Sequence, residues 1–198
     1  MPRVPKLCLV LVGLELAACE PRPPAIAKPE SSAIANVEST TAVARPALTP
    51  EGWGPLRIGM SLEQVIAAAG EDANPRAVGG PDPESCDEFR PARAPAGLLV
   101  MIEDGYLTRI SLGAGSAITT DRGFGIDARA SEVASAYGTK ALMSPHKYVD
   151  APAVYITAWS VAPPHPGPRG VVYEVDAQGD VMRIHAGGAS IAYVEGCL

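Results

Sequence analysis

Arg57-Ile58-Gly59-Met60-Ser61-Leu62-Glu63-Gln64-Val65-Ile66-Ala67-Ala68-Ala69-Gly70 and Gly125-Ile126-Asp127-Ala128-Arg129-Ala130-Ser131-Glu132-Val133-Ala134-Ser135-Ala136-Tyr137-Gly138 lie over one another without a gap. Ile58 meets Ile126, Val65 meets Val133, Ala68 meets Ala136 and Gly70 meets Gly138. Further along, Gly97-Leu98-Leu99-Val100-Met101-Ile102 answers Gly170-Val171-Val172-Tyr173-Glu174-Val175. With one inserted residue, Gly105-Tyr106-Leu107-Thr108-Arg109-Ile110 then answers Gly179-Asp180-Val181-Met182-Arg183-Ile184. Three matches in the same order read as one unit used twice.

Each copy reads as a short helix followed by antiparallel strands. Leu62, Val65, Ile66 and Ala69 fall at i, i+3, i+4 and i+7, one apolar stripe of a helix. Ser61 with Gln64 forms a capping box, and Gly70 suits a left-handed stop. In the second copy Ala130, Val133, Ala134 and Tyr137 repeat the stripe and Gly138 the stop. Arg129 stands where Ser61 does, so that cap is missing. Asp104-Gly105 and Ala177-Gln178-Gly179-Asp180 separate apolar runs as hairpin turns. The Pro-rich stretch 163–168 ends the strand Tyr155–Val161 before Val171–Val175 begins. The expected fold class is α+β, as two tandem units, each a short helix packed on a three- to four-stranded antiparallel sheet. A unit of roughly 60 residues is marginal alone, so the two are expected to share a core or lie edge to edge. The boundaries place the first unit at 51–117 and the second at 118–198.

Upstream, residues 20–50 are rich in Pro, Ala, Ser and Thr without a sustained apolar period. Such a segment buries too little surface to offset its ordering entropy. Residues 19–50 therefore read as a tether, reaching roughly 30 Å as a coil or about 90 Å if polyproline-like. Ahead of it, Arg3 and Lys6 precede an apolar run from Leu7 to Leu16, too short to span a bilayer. Positive, then hydrophobic, then small residues is the order of a secretory signal, here residues 1–18.

That run closes on Leu16-Ala17-Ala18-Cys19, which resembles the lipobox of bacterial lipoproteins. The resemblance implies cleavage before Cys19, a diacylglyceryl group on its sulfur and usually a third, palmitate-like acyl chain on the new amino terminus. Two or three chains hold a protein firmly at a membrane where one does not. The alternative is an ordinary secretory signal. Glu15, a charge inside the apolar run, departs from the pattern. Glu20, where enteric lipoproteins retained in the inner membrane carry Asp, points to the outer membrane facing the periplasm; the inner membrane and the cell surface are the alternatives.

Ile58-Gly59-Met60-Ser61, Gln64-Val65 and the closing Gly70 are similar to the start of two families. The lipobox and tether resemble the small lipoprotein subunit of the outer-membrane β-barrel assembly machine. The duplication resembles the β-lactamase inhibitor protein, with its two tandem helix-plus-sheet units. The resemblance implies a fold and a binding role. The second copy lacks the Gly-Met-Ser core, and no family functional residue has a match to carry over.

The net charge is −6, and losing Arg3, Lys6 and Glu15 with residues 1–18 takes it to −7. An acidic chain without a Lys/Arg cluster has no footprint for nucleic acid. With Cys8 removed and Cys19 lipidated, Cys86 and Cys197 remain. Two thiols in an oxidising compartment read most simply as a disulfide; free thiols or pairing with another chain are the alternatives.

Catalytic and metal readings find little purchase. His146, His165 and His185 lack ligand spacing, and the acidic group Glu71, Asp72, Asp82, Glu84, Asp87 and Glu88 reads as a solvated loop rather than a calcium site. Gly113-Ala114-Gly115-Ser116 lacks a phosphate-loop ending and reads as the link between the halves. No cofactor is expected. A binding face is the remaining reading. Alternation puts Val154, Ile156 and Ala158 on one side of a strand and Tyr155, Thr157 and Trp159 on the other. Met182 and Ile184 share one side of a later strand, and Arg183 and His185 the other. If the aliphatic sides meet the helices, an open face carries Tyr155, Trp159, Arg183, His185 and Arg109, residue types common at interface hot spots. Alternatively Tyr155 and Trp159 are core. The expectation is a lipid-anchored, non-enzymatic binding module or assembly scaffold that contacts the membrane and another envelope protein. An inhibitor or sensor of an envelope enzyme or ligand is the alternative, and an enzyme the least favoured.

Overall fold

The computed structural model describes residues 45–77, 79–160 and 167–197. Cys19, the signal and most of the tether lie outside the described residues. The described chain is α+β, with one large antiparallel sheet, one small hairpin and two helices. The hairpin is β1 (Gly52–Trp53) with β2 (Leu56–Arg57). The large sheet holds β3 (Cys86–Phe89), β4 (Leu98–Glu103), β5 (Tyr106–Leu112), β6 (Leu142–Pro145), β7 (Val154–Ser160), β8 (Arg169–Val175) and β9 (Val181–Gly187). Its order is β3-β4-β5-β9-β8-β7-β6, so the β5–β9 pairing joins the strands of the chain's two halves into one sheet.

Helices α1 (Leu62–Ala69) and α2 (Ala130–Tyr137) cover one face. Helix α1 starts as its sequence dictates. Ser61 accepts from the Gln64 N–H, and the Gln64 side chain accepts from the Ser61 N–H. Helix α2 has no side-chain cap; Arg129 instead pairs with Asp180 in the neighbouring turn. Between sheet and helices lies an aliphatic core. Val65 and Val133 from the helices meet Val100, Ile110, Ile156, Tyr173 and Ile184 from the strands. Tyr173 carries its hydroxyl into this core and donates it to the Thr120 hydroxyl.

The segment before each helix is tied to the turn of the same half. Gly59 N–H donates to Leu107 C=O, Leu107 N–H to Met60 C=O, and Leu62 N–H to Gly105 C=O. In the second half Asp127 N–H donates to Val181 C=O, Val181 N–H to Ala128 C=O, and Ala130 N–H to Gly179 C=O. Both β4–β5 and β8–β9 change register near the turn, after Met101 and after Glu174.

That second irregularity corrects one expectation. Glu174 lies opposite Arg183 but Val175 opposite Val181, so Met182 is the extra residue. Val181 and Ile184 enter the core, and Met182, expected to share the aliphatic side, is exposed. A second correction concerns the tether's end. Leu48 is fully buried, its N–H donates to Thr119 C=O, and Trp53 Nε1–H donates to Pro46 C=O. Residues 45–50 therefore belong to the folded unit: Leu48 is a core residue that Pro- and Thr-rich neighbours hide from a compositional reading.

Candidate functional site

The face away from the helices is built in rows set by strand register. One row runs Glu88, Met101, Arg109, Gly187, Gly170, Trp159; the next runs Leu99, Ser111, His185, Val172, Thr157, Leu142. A third holds Arg183, Glu174, Tyr155 and Ser144. All five residues expected on a binding face are here. The face is not open, however: the chain's last stretch, residues 188–197, folds back over it as a strap. The two glycines make room for it. A side chain at Gly170 would stand 2.8 Å from the Trp159 ring and 3.1 Å from Ile191 of the strap.

Three ties hold the strap. Cys197 is disulfide-bonded to Cys86 in β3, with Cα atoms 5.4 Å apart. Lys147 Nζ lies 3.0 Å from a Glu195 carboxylate oxygen. Arg109 donates from Nη1 to the carbonyls of Ser190 and Tyr193, at 3.0 Å each, and from Nη2 to Glu88. Arg109, only 2 % exposed, is therefore an internal clamp.

Beneath the strap a polar chain crosses the sheet. Ser111 Oγ lies 2.8 Å from His185 Nδ1, and His185 Nε2 faces Glu174 Oε2 at 3.9 Å. Glu174 Oε1 accepts from His146 Nε2 at 3.0 Å, and Arg183 Nε stands 3.9 Å from Oε2. The donors assign the tautomers. His146 Nδ1 accepts the N–H groups of Tyr148 and Val149, so its proton sits on Nε2 and points at Glu174. The Glu174 carboxylate facing His185 Nε2 places the single proton of the neutral ring there, which leaves Nδ1 to accept from the Ser111 hydroxyl. Burial alone would raise the Glu174 carboxyl; the two imidazoles and Arg183 outweigh it and hold it at about 2. Burial pushes the His185 imidazole down, against the pull of Glu174.

A cavity of about 140 Å³ opens above this chain, lined by Tyr155, Thr157, Glu174 and His185 of the sheet and by Ile191 to Val194 of the strap. Tyr155 is half-buried and stacks on His146 with ring centres 4.7 Å apart. Its hydroxyl is buried without a hydrogen-bond partner among the described residues. Trp159 is half-buried and Arg183 is exposed. Neither ring is core, and His185, 8 % exposed, faces inward.

Ser111, His185 and Glu174 have the residue types of a hydrolytic triad, but not its access. Ser111 is buried and does not line the cavity, so a substrate carbonyl cannot reach its oxygen. The same chain makes a poor metal cradle. His146 Nδ1 is committed as an acceptor, so Nε2 carries a proton and offers no lone pair to a cation. Among the described residues no group of three His, Cys, Asp or Glu is placed to hold a metal ion, and no helix is long and apolar enough to cross a membrane.

Sequence reasoning missed Ser111, His146 and Glu174 as members of this site. A signal was present: Ser111 and Glu174 are polar residues inside otherwise apolar strands, at positions that alternate with core residues. No family model matches the chain, and no curated protein and no solved structure matches it.

Proposed function

We propose that the chain is a lipid-anchored lipoprotein of a cell envelope that serves as a non-enzymatic binding module or assembly scaffold. The anchor rests on Leu16-Ala17-Ala18-Cys19. The Cys86–Cys197 bond supports an oxidising compartment outside the cytoplasm. The binding role rests on one observation. Of the nine exposed large apolar residues among those described, five belong to the strap side of β6, the turn after it and the strap: Leu142, Tyr148, Val149, Tyr193 and Val194. The Lys147–Glu195 pair ties that turn to the strap, making these residues parts of one region. Apolar surface gathered in one region marks a contact site, whereas scattered residues do not.

The test has two stages. Mass spectrometry of the protein from membranes should find Cys19 as the first residue, carrying acyl chains; a bare Cys19 or a different start ends the lipoprotein reading. Mild detergent extraction should then yield a complex heavier than the processed, acylated chain alone. A Leu142→Lys, Tyr148→Ser double variant should release it. Migration of the unaltered chain at its own mass refutes the scaffold.

A second reading is an inhibitor or sensor, which goes with a tandem construction of the chain. Supporting it are the three matched hydrogen bonds that tie each helix start to its own turn, and the matched register changes after Met101 and Glu174. Positive φ recurs at the aligned pair Gly59 and Asp127. In this reading two units, residues 51–117 and 118–198, are joined edge to edge through β5 and β9. It predicts inhibition of at least one wall-active hydrolase by the full chain. No effect across a panel removes it.

A further inference from the structure

The cavity beneath the strap has an unfinished hydrogen-bond pair on its floor. Strand register builds that floor as two rows, His185, Val172 and Thr157 in one and Glu174, Tyr155 and Ser144 in the other. Within the Glu174 carboxylate, Oε1 accepts from His146 Nε2 at 3.0 Å. Its Oε2 stands 3.9 Å from His185 Nε2, too far for a hydrogen bond. Arg183 Nε is also 3.9 Å from Oε2, on an exposed side chain that does not line the cavity. Neither His185 Nε2 nor Glu174 Oε2 is among the five side-chain polar atoms of the described residues that are closed off without a partner. Unpaired yet not closed off, both are within reach of whatever fills the cavity.

A gap of 3.9 Å is closed by one atom lying about 2.8 Å from each end. That atom must accept from the His185 Nε2–H and donate to the Glu174 oxygen. A hydroxyl does both, whereas an ammonium cannot accept and a carboxylate cannot donate. Arg183 offsets the charge of Glu174, so the floor favours neither ion. The hydroxyls of Ser144 and Thr157 give or take equally and leave the selection to the His185–Glu174 pair. Water meets the same rule, and the rest of the wall decides against it. Val172, Ile191 and Val194 present aliphatic surface to the cavity. A carbon body gains by covering that surface, and a water gains nothing from it. The volume of about 140 Å³ is close to the roughly 150 Å³ that admits one benzene ring.

We propose that this cavity binds a small neutral phenol or alcohol, its hydroxyl bridging His185 Nε2 and Glu174 Oε2 and its carbon body lying between Val172 and the strap residues Ile191 and Val194. The ligand is no larger than a single six-membered ring or a short branched chain. Binding of this kind needs neither a lipid anchor nor a protein partner, so it stands apart from the scaffold reading.

The test titrates the full-length chain at pH 7 with phenol and, in parallel, with toluene, which has a methyl group where phenol has its hydroxyl. With phenol, the His185 Nε2–H resonance and the Ile191 methyl resonances should shift together and saturate by about 10 mM, a range that covers millimolar affinity. Toluene should bind at least about tenfold more weakly, the loss of a hydrogen bond to a charged acceptor. Thr157→Leu, which fills the cavity from its floor without touching the pair, should abolish the phenol response while the thermal midpoint stays near that of the unaltered chain. Equal affinity for phenol and toluene would mean a plain apolar void and overturns the proposal. No shift with phenol by about 10 mM leaves water as the only occupant and overturns it too. So does a phenol response that survives in folded Thr157→Leu, because the ligand then sits elsewhere. If that variant fails to fold, the comparison of phenol with toluene on the unaltered chain still decides.

Discussion

The two faces of the large sheet are stabilised by different physics. Against the helices, Val65, Val133, Ile110, Ile156 and Ile184 form a contact with few polar atoms, whose strength follows apolar area and is indifferent to pH and redox state. Under the strap, Arg109, Ser111 and His185 are buried and Glu174 is half-buried beside Val172 and Ile191, and the cover is held by a disulfide, a guanidinium clamp and a surface ion pair. The first face needs volume. The second needs partners. Chemical change should therefore loosen the strap face first and leave the helix face standing.

Removing the disulfide is the strongest way to strain that contrast. Cys86 and Cys197 are 111 residues apart, and closing a loop of that length contributes about 5 kcal/mol in the chain-entropy account. In a Cys86→Ser, Cys197→Ser double variant, hydrogen exchange should accelerate at residues 188–197 and in β3 well before it does at Val65 or Val133. Uniform acceleration across both faces would dissolve the distinction.

The next largest effect is expected at Arg109. Its replacement by Met keeps most of the volume but strips the donors from the Ser190 and Tyr193 carbonyls and leaves Glu88 unpaired. Breaking a buried, hydrogen-bonded charge costs about 4 kcal/mol. The denaturation midpoint should fall accordingly, and restoring the charge with Lys should recover only part of it, because one ammonium does not reproduce the fork.

Acid sharpens the comparison without a mutation. The folded Glu174 carboxyl, at about 2, lies below its ordinary 4.5, so its contribution is fully present above pH 4.5 and is lost as pH falls towards 2. The shift corresponds to about 3 kcal/mol. His185 acts in the same direction and earlier: its folded value lies below 6.5, so stability begins to fall as pH drops below 6.5 and the unfolded chain takes up the proton first. Urea midpoints measured from pH 7 to 2 should decline in two stages, and Glu174→Gln should flatten the lower one. A single stage unaffected by that change would remove Glu174 from the account.

Sequence pattern made one face legible and not the other. The stripes at Val65 and Val133, the Ser61 cap and the alternation in β7 follow from local periodicity, so α1, α2 and the inward side of β7 could be read residue by residue. Alternation also put Tyr155, Trp159, Arg183, His185 and Arg109 on the correct side. What periodicity could not carry is the strap. Residues 188–197 have no apolar period, and their position depends on a bond from Cys197 to a cysteine 111 residues away and on room left by Gly170 and Gly187. A face read as open is therefore covered, and Arg109, chosen as a contact, works as a clamp.

The smallest effect compares the two helix starts. Ser61 and Gln64 satisfy each other's backbone N–H groups, whereas Arg129 supplies only an ion pair with Asp180, with the guanidinium more than half exposed. Ser61→Ala should cost about 1 kcal/mol, because it leaves an N–H of the first turn without its acceptor. Arg129→Ala should cost well under that, since water already screens the pair. Its residual cost should vanish in high salt, while the Ser61→Ala cost should not. If both variants lost the same stability and responded alike to salt, the Arg129–Asp180 pair would be acting as a true cap, and the second helix start would owe as much to its side chains as the first.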